Sequence, residues 1–193
     1  MFPEEALPPK EKETELATFL CEAEGDNYYP LFLTLARAGL RPGEAIALKW
    51  DDFNFSKREI LIERALSDGA VGPTKTGKSR IVDMSLELRE TLIQLYVHRE
   101  KQTLRYGWSE MPEYVFIGSR GALLDDSRLR RRFAAILRKA GLSGHTPYDL
   151  RHSFISLLPG KGKPITYVAA QAGQLRHPYF VIALDAYGCA LLR

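Results

Sequence analysis

Cysteine is nearly missing from this sequence: Cys21 and Cys189 stand alone, far apart and without metal-ligand spacing. That excludes a disulfide scaffold and fits a reducing compartment, so a cytoplasmic location is expected. No stretch of apolar residues is long enough to span a bilayer, which needs roughly 18 or more in a row. The first residues, Met1-Phe2-Pro3-Glu4-Glu5, lack the basic start and apolar run of a secretory leader. Internal repeats, low-complexity tracts and linkers are also absent. Nor does one sign of charge dominate, since 27 basic residues face 24 acidic ones for a net +3. Bulk charge therefore permits a nucleic-acid partner without demanding one.

What remains is ordinary globular material, 45% hydrophobic and 26% charged over 193 residues, the size of one domain. Pro3 to Lys12 mixes prolines and charges and reads as an exposed lead-in. Glu13 to Ala23 has helical spacing, with Leu16, Phe19 and Leu20 on one face. Tyr28 to Arg37 is a second helix that Gly39 is placed to end. Pro42 and Glu44 open a third, running to about Lys49. Strand chemistry follows. Ile60 and Ile62 alternate within a strand over Glu59 to Leu66, and Ile81-Val82 marks another. A small antiparallel sheet with Lys75 near a hairpin tip is the simplest arrangement, and Tyr114 to Ile117 supplies one more short strand. Ser85 caps a long helix through Leu88, Leu92, Leu95 and Tyr96, and Ser127 caps one reaching about Lys139. Thr146-Pro147-Tyr148-Asp149 starts a further helix through Leu158, broken at Pro159-Gly160. Another runs from Pro164 to near Gly173, and Val181 to Arg193 is apolar enough to pack as a last one. The expected fold is α+β: a mainly helical single domain with a small three-stranded antiparallel sheet.

Arg41, Lys75, Arg151 and His177 each sit at an element edge or helix start, and Tyr148 shares a helix face with Arg151. Cations that converge in this way suit a phosphate, because guanidinium forks bind its oxygens two at a time and stabilise charge developing on it. A tyrosine beside them could attack phosphorus, since cations ease the loss of a phenolic proton. Spacing alone does not show convergence. Structural alternatives stand beside each residue: a helix-start arginine, a solubilising lysine, an ion pair between Arg151 and Asp149, packed aromatics at Tyr148 and Tyr187, a loop histidine at His177. His152 is expected to be a buried hydrogen-bonding residue, with His98 and His145 at the surface. No metal constellation is visible.

Ala38-Gly39-Leu40-Arg41-Pro42-Gly43-Glu44-Ala45-Ile46-Ala47-Leu48-Lys49-Trp50 closely resembles the first box of the tyrosine recombinase (phage integrase) family. Thr74-Lys75-Thr76 with Ser79-Arg80 is similar to its lysine hairpin, Thr146 through Phe154 to its second box, and Leu184-Asp185-Ala186-Tyr187-Gly188 to its nucleophile box. The four occur in the family's order and cover nearly the whole chain. The resemblance implies strand cleavage and rejoining in double-stranded DNA through a 3′-phosphotyrosyl link, without metal or other cofactor. It assigns Tyr187 as nucleophile, Arg41 and Arg151 as clamps on the non-bridging oxygens, and Lys75 as the acid that protonates the leaving 5′ oxygen. It further implies a tetramer on DNA, while the short segment after Tyr187 argues for a monomer when free.

Three departures stand out. Tyr148 occupies the place where the family usually has histidine. In the third box, counting back from Tyr187 selects His177 and counting forward from Tyr167 selects Gln174. His177 is expected, because its distance to Tyr187 controls the geometry of the chemistry. Finally, residues 1–193 correspond to the catalytic domain, with the family's amino-terminal DNA-clamping domain absent. A catalytically degenerate or truncated DNA-binding module of the same fold is the alternative function. The basic run Arg128, Arg130, Arg131, Arg132, Arg138 and Lys139 flanks an apolar stripe and is expected to contact the DNA backbone.

Overall fold

The computed structural model describes residues 9–173. The chain forms α1 (Pro9–Ala23), α2 (Tyr29–Ala38), α3 (Pro42–Ile46), β1 (Phe53–Asn54), β2 (Glu59–Ile62), β3 (Arg64–Ser67), β4 (Ala70–Pro73), β5 (Arg80–Asp83), α4 (Leu86–Tyr106), α5 (Asp126–Lys139), α6 (Pro147–Gly160) and α7 (Ile165–Ala172). This is the expected α+β class. Antiparallel β1-β2-β5 makes the three-stranded sheet, and β3-β4 form a separate pair.

Apolar spacing dictates the packing. Leu16, Phe19 and Leu20 of α1 are buried, as expected, against α2 and α5. Phe19, Phe32 and Phe133, one from each of these helices, meet with ring centroids 4.6 to 5.8 Å apart. Such tilted and edge-on rings bury large area at favourable geometry. Helix α2 ends at Gly39, which is left-handed (φ 63°) and whose missing side chain leaves room for Phe154. Any Cβ there would lie 2.3 Å from the Phe154 ring. That close approach seats α6 on α2 and fixes the corner that carries Arg41.

Several boundaries differ from expectation. Helix α1 begins at Pro9, inside the presumed lead-in, because proline suits a first helical turn. Helix α3 stops at Ile46. Lys49 then turns extended and bridges Tyr114, while the Val115 N–H donates to Leu48 O at 2.9 Å. The expected strand at Tyr114 to Ile117 is thereby reduced to isolated bridges, Lys49 with Tyr114 and Ile117 with Leu123. The strand over Glu59 to Leu66 is two strands that part at Glu63. Ile62 pairs Arg80 and Arg64 pairs Pro73, so residues 74–79 bulge out opposite Glu63 alone. Lys75 lies in that bulge and not at the hairpin tip, which is Asp68-Gly69. Helix α5 is capped by Asp125, whose carboxylate accepts the Ser127 N–H at 2.9 Å, rather than by Ser127. Helix α6 runs through Pro159 to Gly160, since a proline in the last turn forfeits only one bond. Val181 to Arg193 lies outside the described residues.

Candidate functional site

The site assembles at the start of α3. Glu44, three residues into the turn, accepts the Arg41 backbone N–H at 2.9 Å and the Arg41 Nη1 at 2.8 Å. This carboxylate is 1% exposed, and it is also held by Arg80, Nη1 at 3.0 Å and Nη2 at 2.7 Å. Burial alone would raise its pKa. The Arg80 hydrogen bonds and charge, with help from Arg41, outweigh that and hold it below the ordinary glutamate value.

Arg80 extends the linkage. Its Nε donates to Gln171 O on α7 at 3.0 Å, and Gln171 Oε1 accepts the Asp83 N–H at 2.7 Å. The Asp83 carboxylate accepts the Tyr167 hydroxyl at 2.7 Å. Burial, then that bond and the nearby carboxylate charge, push the Tyr167 phenol up to about 12. Strand β5, α3 and the end of α7 are thus tied through one guanidinium.

Arg151 sits beneath this layer, 2% exposed. Its Nη1 donates to Gly39 O and its Nη2 to Ala172 O, the latter at 2.6 Å. The carbonyls belong to the ends of α2 and α7, so Arg151 fastens together the two corners that lead to Arg41 and to Gly173. Burial, then the Arg41 charge, lowers its pKa to about 10, with Glu44 opposing and Arg80 adding to the fall. A guanidinium at that value remains charged near neutrality. Arg41 is partly exposed at the rim, and Tyr148 is 43% exposed one turn before Arg151 on α6. Arg41 and Tyr148 each lie within electrostatic reach of Arg151.

Lys75 is exposed on its bulge and makes no hydrogen bond or ion pair with another described residue. Buried Thr74 holds the bulge, its hydroxyl donating to Lys78 O at 2.8 Å. His177, Gln174 and Tyr187 lie outside the described residues. His152, expected to be buried, is exposed, because its place on α6 faces away from the Leu150 and Phe154 stripe. His98 is exposed, and His145 is half-buried with its Nε2 3.4 Å from Glu15. Among the described residues, no cluster of histidine, cysteine or acid could hold a metal ion, and no helix is long and apolar enough to cross a membrane.

Sequence reasoning missed Arg80, Gln171 and the bridging part of Glu44. Their signals were present. Arg80 shares the inward face of β5 with Val82, and Gln171 lies one turn from buried Val168, so each is a polar residue on a core-facing stripe.

A buried arginine fastened to two helix ends, an acid-linked arginine near it and a strand bulge carrying a lysine are set on one α+β domain. The chain belongs to the phage integrase family, whose model matches residues 9–174. It is 28% identical over 192 residues to a tyrosine recombinase XerC-like protein of Caldanaerobacter subterraneus subsp. tengcongensis, a match covering 86% of this chain and 49% of that protein. The fold is that of the XerA recombinase crystal structure (TM-score 0.72, 22% identity, all of this chain and 67% of that one). It is also that of the Tn1549 transposon integrase bound to circular intermediate DNA (TM-score 0.75, 20% identity, 97% of this chain and 63% of that one). The chain spans about half the length of the first curated relatives it matches.

Proposed function

We propose that this chain supplies the catalytic domain of a site-specific DNA recombinase or integrase. The observation that supports the reading is the Arg41–Glu44–Arg80 linkage, with Arg151 within electrostatic reach of all three. In this reading Arg41 and Arg151 neutralise charge on the non-bridging oxygens of a backbone phosphate, and Tyr148 donates a hydrogen bond there in place of histidine. The Tyr187 oxygen bonds to phosphorus as its phenolic proton passes to His177. The bond from phosphorus to the 5′ oxygen breaks, and Lys75 supplies the proton that the leaving oxygen takes up. The phosphodiester energy stays in the 3′-phosphotyrosyl link, so attack by a partner strand's 5′ hydroxyl reverses the step with no cofactor. Fixed cations do the work that metal ions do in other phosphoryl transfers. Duplex DNA is the partner, with four copies assembling on it.

Covalent trapping tests this. The purified chain is incubated with nicked duplexes without metal, and a denaturing gel reads DNA-linked protein. The expected result is a linked band that Tyr187→Phe abolishes while duplex binding stays nearly unchanged. Salt-sensitive binding with no band in either protein would establish the binding-module alternative instead.

A further inference from the structure

On the side of α5 away from Tyr148, a cavity of about 630 Å³ opens between α2, α4 and the Gly118–Gly121 turn. That is the size of a small-molecule site. None of the described residues that line it is acidic, whereas Arg99, Arg120, Arg128 and His98 all line it. Arg99 is 9% exposed. Its Nη1 donates to Gln102 Oε1 and its Nη2 to Val115 O, while Nε has no partner among the described residues. Among the described residues no carboxylate offsets its charge, and burial drives its pKa down. A buried guanidinium without an acid is costly unless something anionic completes it. Arg120 stands at φ 58°, a left-handed conformation that non-glycine residues rarely adopt. On the same wall, Tyr106 and Trp108 lie with ring centroids 5.4 Å apart, and Tyr106 is 60% exposed.

We propose that this cavity binds a phosphorylated nucleoside, its phosphate drawn to Arg99, Arg120 and Arg128 and its base laid against Tyr106 and Trp108. Guanidinium forks match phosphate oxygens two at a time, and aromatic faces accept any base. The ligand is either a free nucleotide or a nucleotide of a DNA strand, because both present the same chemistry. The site shares only Leu124 with the cavity beside Tyr148 and uses no residue assigned to strand cleavage. Its failure and that of the recombinase reading are therefore separate results.

Titration calorimetry with dAMP, deoxyadenosine and inorganic phosphate tests it, with tryptophan fluorescence reporting on Trp108. The expected result is saturable dAMP binding at about millimolar concentration or below, with fluorescence quenching, phosphate weaker by about tenfold and deoxyadenosine not bound. Arg120→Asn keeps a residue that tolerates the left-handed backbone and should weaken dAMP about tenfold with an unchanged melting temperature. Arg99→Gln should do the same or more, but it removes a buried side chain, so Arg120→Asn is the deciding variant. If Arg120→Asn also weakens duplex binding, the nucleotide comes from a strand. If duplex affinity is unchanged, the ligand is free. No saturable binding, equal affinity for phosphate alone, or an unaltered affinity in Arg120→Asn would each overturn the proposal.

Discussion

Arg80 grips Glu44 with both terminal nitrogens, at 3.0 and 2.7 Å, and the same two carboxylate oxygens are turned on Arg41. Arg41 is therefore oriented, through Glu44, by a residue four strands further along the chain. The remaining nitrogen of Arg80, Nε, donates to Gln171 O, close to where α7 ends at Gly173. One side chain thus links the Arg41–Glu44 pair to the last turn of α7.

Arg80 should accordingly behave as a positioning residue. Arg80→Gln leaves Glu44 with Arg41 alone and is expected to slow DNA cleavage by about tenfold to a hundredfold, with duplex affinity within about threefold. Arg80→Lys restores the charge without the two-pronged bond, so it should recover part of the rate and no more. The check is single-turnover cleavage on a nicked duplex alongside a binding isotherm. A wild-type rate in Arg80→Gln would remove the residue from the site.

Acid should loosen the same cluster. Glu44 has a folded pKa below its unfolded value, so its stabilising contribution is complete above the unfolded value of about 4.3 and is lost as pH falls through the folded one. The urea midpoint should drop on acidification below about pH 4.5, and Glu44→Gln should show a shallower acid limb. At neutral pH that variant leaves Arg41, Arg80 and Arg151 without their shared acid, at a cost of about 3–5 kcal/mol. An acid limb identical in both proteins would place the titrating group elsewhere.

Gly39 is required twice over, by its left-handed backbone and by the Phe154 ring that fills the space of a side chain. Gly39→Ala should cost at least about 2 kcal/mol and lower the melting temperature by about 4–8 °C. Calorimetry reads this directly. Because Gly39 O also accepts from Arg151, the variant should lose cleavage more steeply than stability alone predicts. Gly25→Ala is the comparison. It shares a positive φ but has open space around it, so it carries the backbone cost without the clash.

Helix-scale features were legible in the chain because they rest on local chemistry. Gly39 and Ser85 cap where they were expected to, and the buried stripes of α1, α4 and α5 follow from spacing alone. The order of the four boxes pointed to the fold. Convergence was not legible, since it depends on contacts between residues far apart in sequence. The Arg80–Glu44 pair spans 36 positions and Arg151 to Gly39 spans 112. The strand pattern misled for a physical reason: Ile60 and Ile62 alternate, and nothing in that alternation marks Glu63 as the point where the partner strand bulges out. Lys75 was thus expected one turn away from where it sits. The role of Arg151 also reads differently in space, as its buried guanidinium is already bonded to two main-chain carbonyls.

The basic face of α5 divides by partner, and that division predicts salt dependence. Arg130 is paired with Asp126 at 2.7 Å and Arg132 with Asp26. Arg131 reaches only the Ser127 carbonyl, at 3.3 Å, and Arg138 has no ion pair among the described residues. A paired arginine has already released its counterion, so it contributes less when DNA arrives. Arg131→Ala and Arg138→Ala should each reduce the slope of log affinity against log salt by about one, with little dependence on duplex sequence. Arg132→Ala should change the slope by less, because Asp26 already neutralises that charge. Titrations of one duplex at several salt concentrations decide it. Equal slopes in all three variants and the parent would show that this face points away from DNA.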